Sequence, residues 1–165
     1  MQTKLNNLVR AAMVAALIFA LTWFPRVAIP TPTGATHLFH LGLPFSMLIV
    51  FILPWKYAVF AAAFGSALVN VLGLPNPMWA PATFVLRAMV VLIVYKLKGF
   101  NKFLAFLIAG VLSATGYYLY EVAVFSQNFI ASAPGYGMLL IEGVGAAIVA
   151  WVVMFTLDKR GEVSE

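Results

Sequence analysis

The sequence predicts an all-α integral membrane protein with six transmembrane helices, and three observations predict it. Of 165 residues, 64% are hydrophobic and 9% charged, against roughly 25% charged in soluble domains. The mean hydropathy is +1.00. Apolar runs near the crossing length recur along the chain, cut by short turns that hold Pro or Lys. Hydrocarbon about 30 Å thick takes about 20 apolar residues per helical crossing, so about six crossings with short connections use up the chain. One membrane domain over residues 1–165 is expected.

A short polar start, Met1 to Asn7, leads into a first span from Leu8 to Ile29, stopped by Pro30 and Pro32. This run is longer than a signal peptide's apolar core and closes without a small-residue cleavage pattern, so it reads as a span. Within it Ala11 and Ala15, like Ala12 and Ala16, lie four apart on one helical face, a spacing that lets another helix approach closely. Spacing alone leaves open whether that helix belongs to this chain or to a partner. Pro30 to Gly42 is a turn-rich connection with both histidines, His37 and His40. The apolar segment after it, Leu41 to Leu53, makes about 20 Å of helix and is too short to cross alone. Either its helix starts earlier, within the loop, or the loop dips into the membrane under cover of protein or a water-filled cavity.

Pro54-Trp55-Lys56 turns the chain into a third span, Tyr57 to Leu74, with Asn70 near its far end. Pro75 to Pro81 is a rigid loop with Trp79 at the interface. The fourth span, Ala82 to Leu97, carries Arg87, and Lys96, Lys98 and Lys102 bracket the next turn. The fifth span runs to Phe125. The sixth, Pro134 to Leu157, holds Glu142 and ends at Asp158-Lys159-Arg160.

The net charge of +5 has to be read loop by loop, because cytoplasmic loops collect Lys and Arg. Six crossings put Lys4, Arg10, Lys56, Lys96, Lys98, Lys102, Lys159 and Arg160 on one side, eight of the ten basic residues. Arg26 and Arg87 are left toward the other. Both termini are therefore expected in the cytoplasm, and the charge implies no nucleic-acid partner. The absence of cysteine excludes disulfides, thiolate metal sites and a cysteine nucleophile. No serine-hydrolase elbow, zinc-protease pair or phosphate-binding glycine loop is present, so no enzyme activity and no cofactor are expected. His37 and His40 alone fall short of the four ligands of a structural zinc site, and no metal is assigned.

Three charges fall inside the predicted spans on the side away from the lysines. Arg87 lies about 7 Å along span four, Glu121 about 6 Å from the end of span five and Glu142 about 12 Å along span six. Ionisable groups inside a membrane mark functional sites by default. Tyr117 and Tyr118, four and three residues before Glu121, are expected on its helical face. His37, His40, Asn70, Asn76, Trp79, Gln127, Asn128 and Tyr136 belong to the same end. Apolar walls with aromatic surfaces and a few polar groups make a small-molecule pocket. The alternative is a structural or assembly subunit whose charges merely pair helices, although one arginine does not easily satisfy two carboxylates.

These residues resemble the substrate-binding S components of energy-coupling factor (ECF) vitamin transporters over almost the whole chain. The resemblance is carried by the alanine face Ala11/Ala15 with Ala12/Ala16, the loop ending His40-Leu41-Gly42, Ala80-Pro-Ala-Thr-Phe84 followed by Arg87, Tyr117-Tyr-Leu-Tyr-Glu121, and the small-residue sixth span. It implies capture of a water-soluble vitamin or precursor at the plasma membrane of a prokaryote. Uptake would be driven by one transmembrane T component and two ATPase subunits, with Ala11, Ala12, Ala15 and Ala16 docking on the T component. Many relatives carry Asp where this chain has Leu43 and Asn70, which leaves the vitamin open. A small polar heteroaromatic, such as vitamin B6 or the thiamine pyrimidine precursor, suits stacking on tyrosines with Arg and Glu contacts.

Overall fold

The computed structural model describes residues 2–30, 36–73, 77–125 and 128–160. Its helices are α1 (Gln2–Trp23), α2 (Gly42–Leu48), α3 (Trp55–Leu68), α4 (Ala80–Leu97), α5 (Lys102–Phe125) and α6 (Phe129–Lys159). A 3-10 turn, Ile49–Phe51, extends α2, and a π-helical turn, Val69–Gly73, extends α3. Among the described residues five helices are long and apolar enough to cross a membrane, and Gly42–Phe51 is a shorter apolar helix. Helices suit this solvent because every backbone group must be satisfied within the segment when no water is at hand.

The helix ends follow local chemistry. Pro81 lies in the first turn of α4, where the missing N–H costs nothing. Asn101 Oδ1 accepts the Leu104 N–H at 2.9 Å at the start of α5, and Asn128 Oδ1 accepts the Ile130 N–H at 2.8 Å at the start of α6. Each satisfies an orphan donor of a helix start.

The all-helical expectation needs one correction. The connection before α2 is an antiparallel hairpin of β1 (Arg26–Pro30) and β2 (Thr36–His40), with Arg26 opposite His40 and Pro30 opposite Thr36. The first helix accordingly stops at Trp23 instead of Ile29, and it starts at Gln2 instead of Leu8. Helix α2 does not begin within the loop, because β2 runs to His40 and the helix opens at Gly42. Helices α3 and α4 start two residues before the predicted bounds, at Trp55 and Ala80, and α3 gives way to the π turn after Leu68. Helix α5 ends at Phe125 as expected, and α6 runs from Phe129 to Lys159 instead of Pro134 to Leu157.

Small residues set the helix spacing. A methyl added at Gly65 on α3 would overlap the Ala15 carbonyl oxygen on α1, and one at Gly110 on α5 would overlap that of Gly143 on α6. Van der Waals contact between such closely approaching backbones drives association in lipid, where no hydrophobic effect acts between helices. Ile18, Met47, Val90, Val91, Val94, Phe106 and Met154 fill the core between them. Large apolar side chains such as Phe60, Phe64 and Trp151 stay exposed on the outside, as a lipid-facing surface requires. The hairpin, the π turn, the end of α5 and the start of α6 gather at one end of the bundle. The other end is the basic one, where Lys102 Nζ meets Asp158 Oδ2 at 2.7 Å.

Candidate functional site

Three polar groupings are built at the hairpin end. The first centres on Arg87 of α4, which is 3% exposed. Its guanidinium stands 5.9 Å from the ring of Tyr117 on α5. The Tyr117 hydroxyl donates to Thr83 Oγ1 at 3.0 Å, and Asn70 Nδ2 donates to the same oxygen at 2.8 Å. Thr83 lies four residues before Arg87, so both share one face of α4. Asn70 sits in the π-helical turn, a local widening often found at functional sites.

Arg87 Nε and Nη1 are buried and have no hydrogen-bond partner among the described residues. No ion pair joins Arg87 to Glu121 or Glu142 among them either. A buried guanidinium with two unanswered donors is costly. It is the feature a helix-pairing device would lack.

Trp79 forms the roof of this group. Its ring centroid lies 6.1 Å from that of Tyr117, 5.5 Å from Tyr120 and 5.3 Å from Phe125. The Tyr120 hydroxyl donates to the Met78 carbonyl, which ties α5 to the turn before α4. Trp79 is thus part of an aromatic cluster beyond any role as an interfacial anchor.

The second grouping joins β2 to α6. His40 Nε2 lies 3.8 Å from Glu142 Oε1, while His40 Nδ1 accepts the Gly42 N–H at 3.2 Å. With Nδ1 an acceptor, the imidazole presents its proton at Nε2 toward the carboxylate. Thr22 of α1 completes the corner. Its Oγ1 packs on Gly42 and has no hydrogen-bond partner among the described residues.

The third grouping lies between α5 and α6. Tyr118 and Tyr136 rings are 4.7 Å apart, the Tyr118 hydroxyl donates to the Phe129 carbonyl at 2.7 Å, and Tyr136 and Thr115 hydroxyls are 3.0 Å apart.

The structure therefore unites Arg87, Tyr117, Asn70 and Trp79, and separately His40 with Glu142. It corrects the expectation that Tyr117 and Tyr118 share one face, since Tyr117 turns to α4 and Tyr118 to α6. Glu121 is half-buried near the end of α5. Asn128 is a helix cap. His37 pairs with Ile29 along the hairpin, with its side chain outside the described part, and Asn76 and Gln127 lie outside the described residues. Thr83, Tyr120 and Thr22 went unnoticed as site residues. The four-residue spacing from Thr83 to Arg87 was the available signal for the first, and nothing in the sequence marks Thr22.

A family model described as "ECF-type riboflavin transporter, S component" matches residues 2–160. Neither the curated proteins nor the solved structures contain a match to the chain.

Proposed function

The chain belongs to the S-component family of ECF-type riboflavin transporters, and on that footing we propose that it captures a water-soluble vitamin at its hairpin end. The family is one of transport subunits, in which a substrate-binding S component works with a T component and ATPases. For this chain the hairpin end faces outward, both termini are cytoplasmic, and the membrane is the plasma membrane of a prokaryote. The basic residues at the opposite end support that orientation. One T component and two ATPase subunits supply the energy.

The observation that carries the reading is Arg87, whose buried Nε and Nη1 lack acceptors among the described residues beside the aromatic surfaces of Tyr117 and Trp79. A flat heteroaromatic ring with carbonyl or other acceptor atoms answers both needs at once. Riboflavin is the first candidate, because the family description names it and its ring carries carbonyl acceptors. A one-ring vitamin, vitamin B6 or the thiamine pyrimidine precursor, is the second reading. It is favoured by the crowding of α4 on α5 beside Arg87, where Leu86 packs onto Gly116.

Thermal melts of the purified protein with riboflavin, pyridoxine and the aminopyrimidine precursor test these readings, alongside native mass spectrometry of co-purified ligand. A ligand at 100 times its Kd stabilises by about 2.7 kcal/mol. One of the three is expected to raise the melting temperature accordingly. No shift with any of them, together with no co-purified species, would sink the proposal.

The alanine face divides by burial. Ala11 and Ala15 are buried, while Ala12 and Ala16 are exposed, so Ala12 and Ala16 are the pair free to meet the T component. Ala16→Leu is expected to abolish uptake while leaving vitamin binding intact. Ala15→Leu is expected to unfold the contact with α3 and lose both. Equal effects from the two, measured by transport and by ligand-dependent melting, would refute the division.

A further inference from the structure

A groove of about 520 Å³ runs down the bundle between α2 and α6. Its walls are apolar, with Phe45, Leu48 and Phe51 facing Val149, Val153 and Leu157. Its origin is a mismatch of length. Gly42–Phe51 makes about 15 Å of helix, whereas α6 has 31 residues and extends about 46 Å. The short helix leaves a strip of the long one uncovered, and Val149 and Val153 remain exposed there.

One mouth of the groove is strongly basic. Lys98 Nζ lies 5.0 Å from the Phe51 ring centroid and Lys102 Nζ lies 5.8 Å from it. Lys102 also reaches Asp158, the neighbour of Leu157, so two independent contacts tie this charge to the same mouth. No carboxylate pairs with Lys98 among the described residues. Lys56, Lys96, Lys159 and Arg160 stand at the same end of the bundle, where Asp158 is the sole acid among the described residues. An apolar slot that opens on ammonium groups is complementary to a molecule with an alkyl chain and a negative head. Basic pockets between membrane helices bind anionic lipid headgroups in this manner.

We propose that the α2/α6 groove holds one anionic phospholipid, with an acyl chain along Val149 and Val153 and its phosphate on Lys98 and Lys102. The lipid fills a strip that no side chain of the described residues covers, and it wedges α2 against α6. Neither role depends on which vitamin is bound.

The test uses the full chain in nanodiscs of equal phosphatidylglycerol and phosphatidylcholine, extracted into mild detergent and weighed by native mass spectrometry. One phosphatidylglycerol per chain is expected to stay bound, with a preference of roughly tenfold over phosphatidylcholine that Lys98→Gln cuts about fivefold. Val153→Trp fills the slot and is expected to remove retained lipid of either kind, with circular dichroism to confirm that the variant is folded. Equal retention of both lipids, or unchanged retention in folded Val153→Trp, overturns the proposal. The chain has no cysteine, so Val153→Cys is a unique label. If it cross-links to the T component in the assembled transporter, the groove is a protein interface and the lipid assignment fails.

Discussion

Arg87→Met is expected to weaken vitamin binding by roughly 30-fold to 4000-fold and, at the same time, to raise the melting temperature of the ligand-free protein. The first effect follows from truncating one side of a buried, charge-assisted contact, which costs about 2–5 kcal/mol at 1.4 kcal/mol per tenfold. The second follows from Nε and Nη1 having no acceptor among the described residues. A buried donor without an acceptor costs about 1–3 kcal/mol, while the stacking over Tyr117 returns about 0.5–2 kcal/mol. The balance favours methionine in the empty site. A helix-pairing arginine makes the opposite prediction, since breaking a buried pair destabilises and leaves no ligand phenotype. Arg87→Lys refines the test. It keeps the charge but loses the planar fork, so binding should recover only in part. Melting curves with and without the vitamin, and titration calorimetry, read all three outcomes. A destabilised Arg87→Met with unchanged affinity would return the molecule to the assembly-subunit reading.

That opposition of signs was not available from the sequence. Arg87 stood out because a charge interrupts an apolar run, and Glu142 for the same reason. What each one meets depends on how four helices rotate against one another. Hydropathy is blind to that rotation. A carboxylate was the natural partner for Arg87, yet the guanidinium lies over an aromatic ring and Glu142 faces His40. Tyr117 and Tyr118 show the same limit on a smaller scale. Successive helical residues diverge by about 100°, and only the packing of α4 and α6 on either side of α5 decides which tyrosine serves which helix.

Helix existence was legible because span length, proline stops and lysine turns are local signals. The hairpin was hidden for a related reason. Val27, Ala28 and Ile29 resume the hydropathy of α1 directly after Pro25-Arg26, so the profile shows only a two-residue dip. Such a dip marks a punctuated span as readily as the change from helical to extended backbone. Thr36-His37-Leu38-Phe39-His40 does not alternate apolar with polar residues, so it announces no strand among prolines and a glycine. The hairpin nevertheless delivers His40 to Glu142, and it fixes where α2 begins. The part of the site least legible in the sequence is thus the part carried by irregular backbone. The regular helices supply Arg87, Tyr117 and Thr83 at spacings that could be counted.

The closest approach of α5 and α6 gives the second large effect. Methyl groups at Gly110 and Gly143 would each overlap the other residue's carbonyl oxygen, and Ala109, Ala114, Ala146 and Ala147 continue the small-residue seam on both helices. Backbone cannot swing aside as a side chain can, so either substitution must part the helices. Gly110→Ala and Gly143→Ala are each expected to cost about 1–3 kcal/mol through overpacking, which is roughly 2–12 °C in melting temperature for a chain of this size. Together they should cost about 1 kcal/mol less than their sum, because the separation forced by the first methyl makes room for the second. Vitamin affinity should fall in parallel, since Tyr136 meets Thr115 and Glu142 meets His40 across elements that this seam positions. Gly145→Ala supplies the control. A methyl there meets nothing within 4 Å, and replacing a mid-helix glycine by alanine favours the helix by up to about 1 kcal/mol. Two glycines two residues apart are therefore expected to respond with opposite signs. Additive losses at Gly110 and Gly143, or a loss at Gly145 equal to theirs, would mean that backbone contact does not set the α5–α6 spacing.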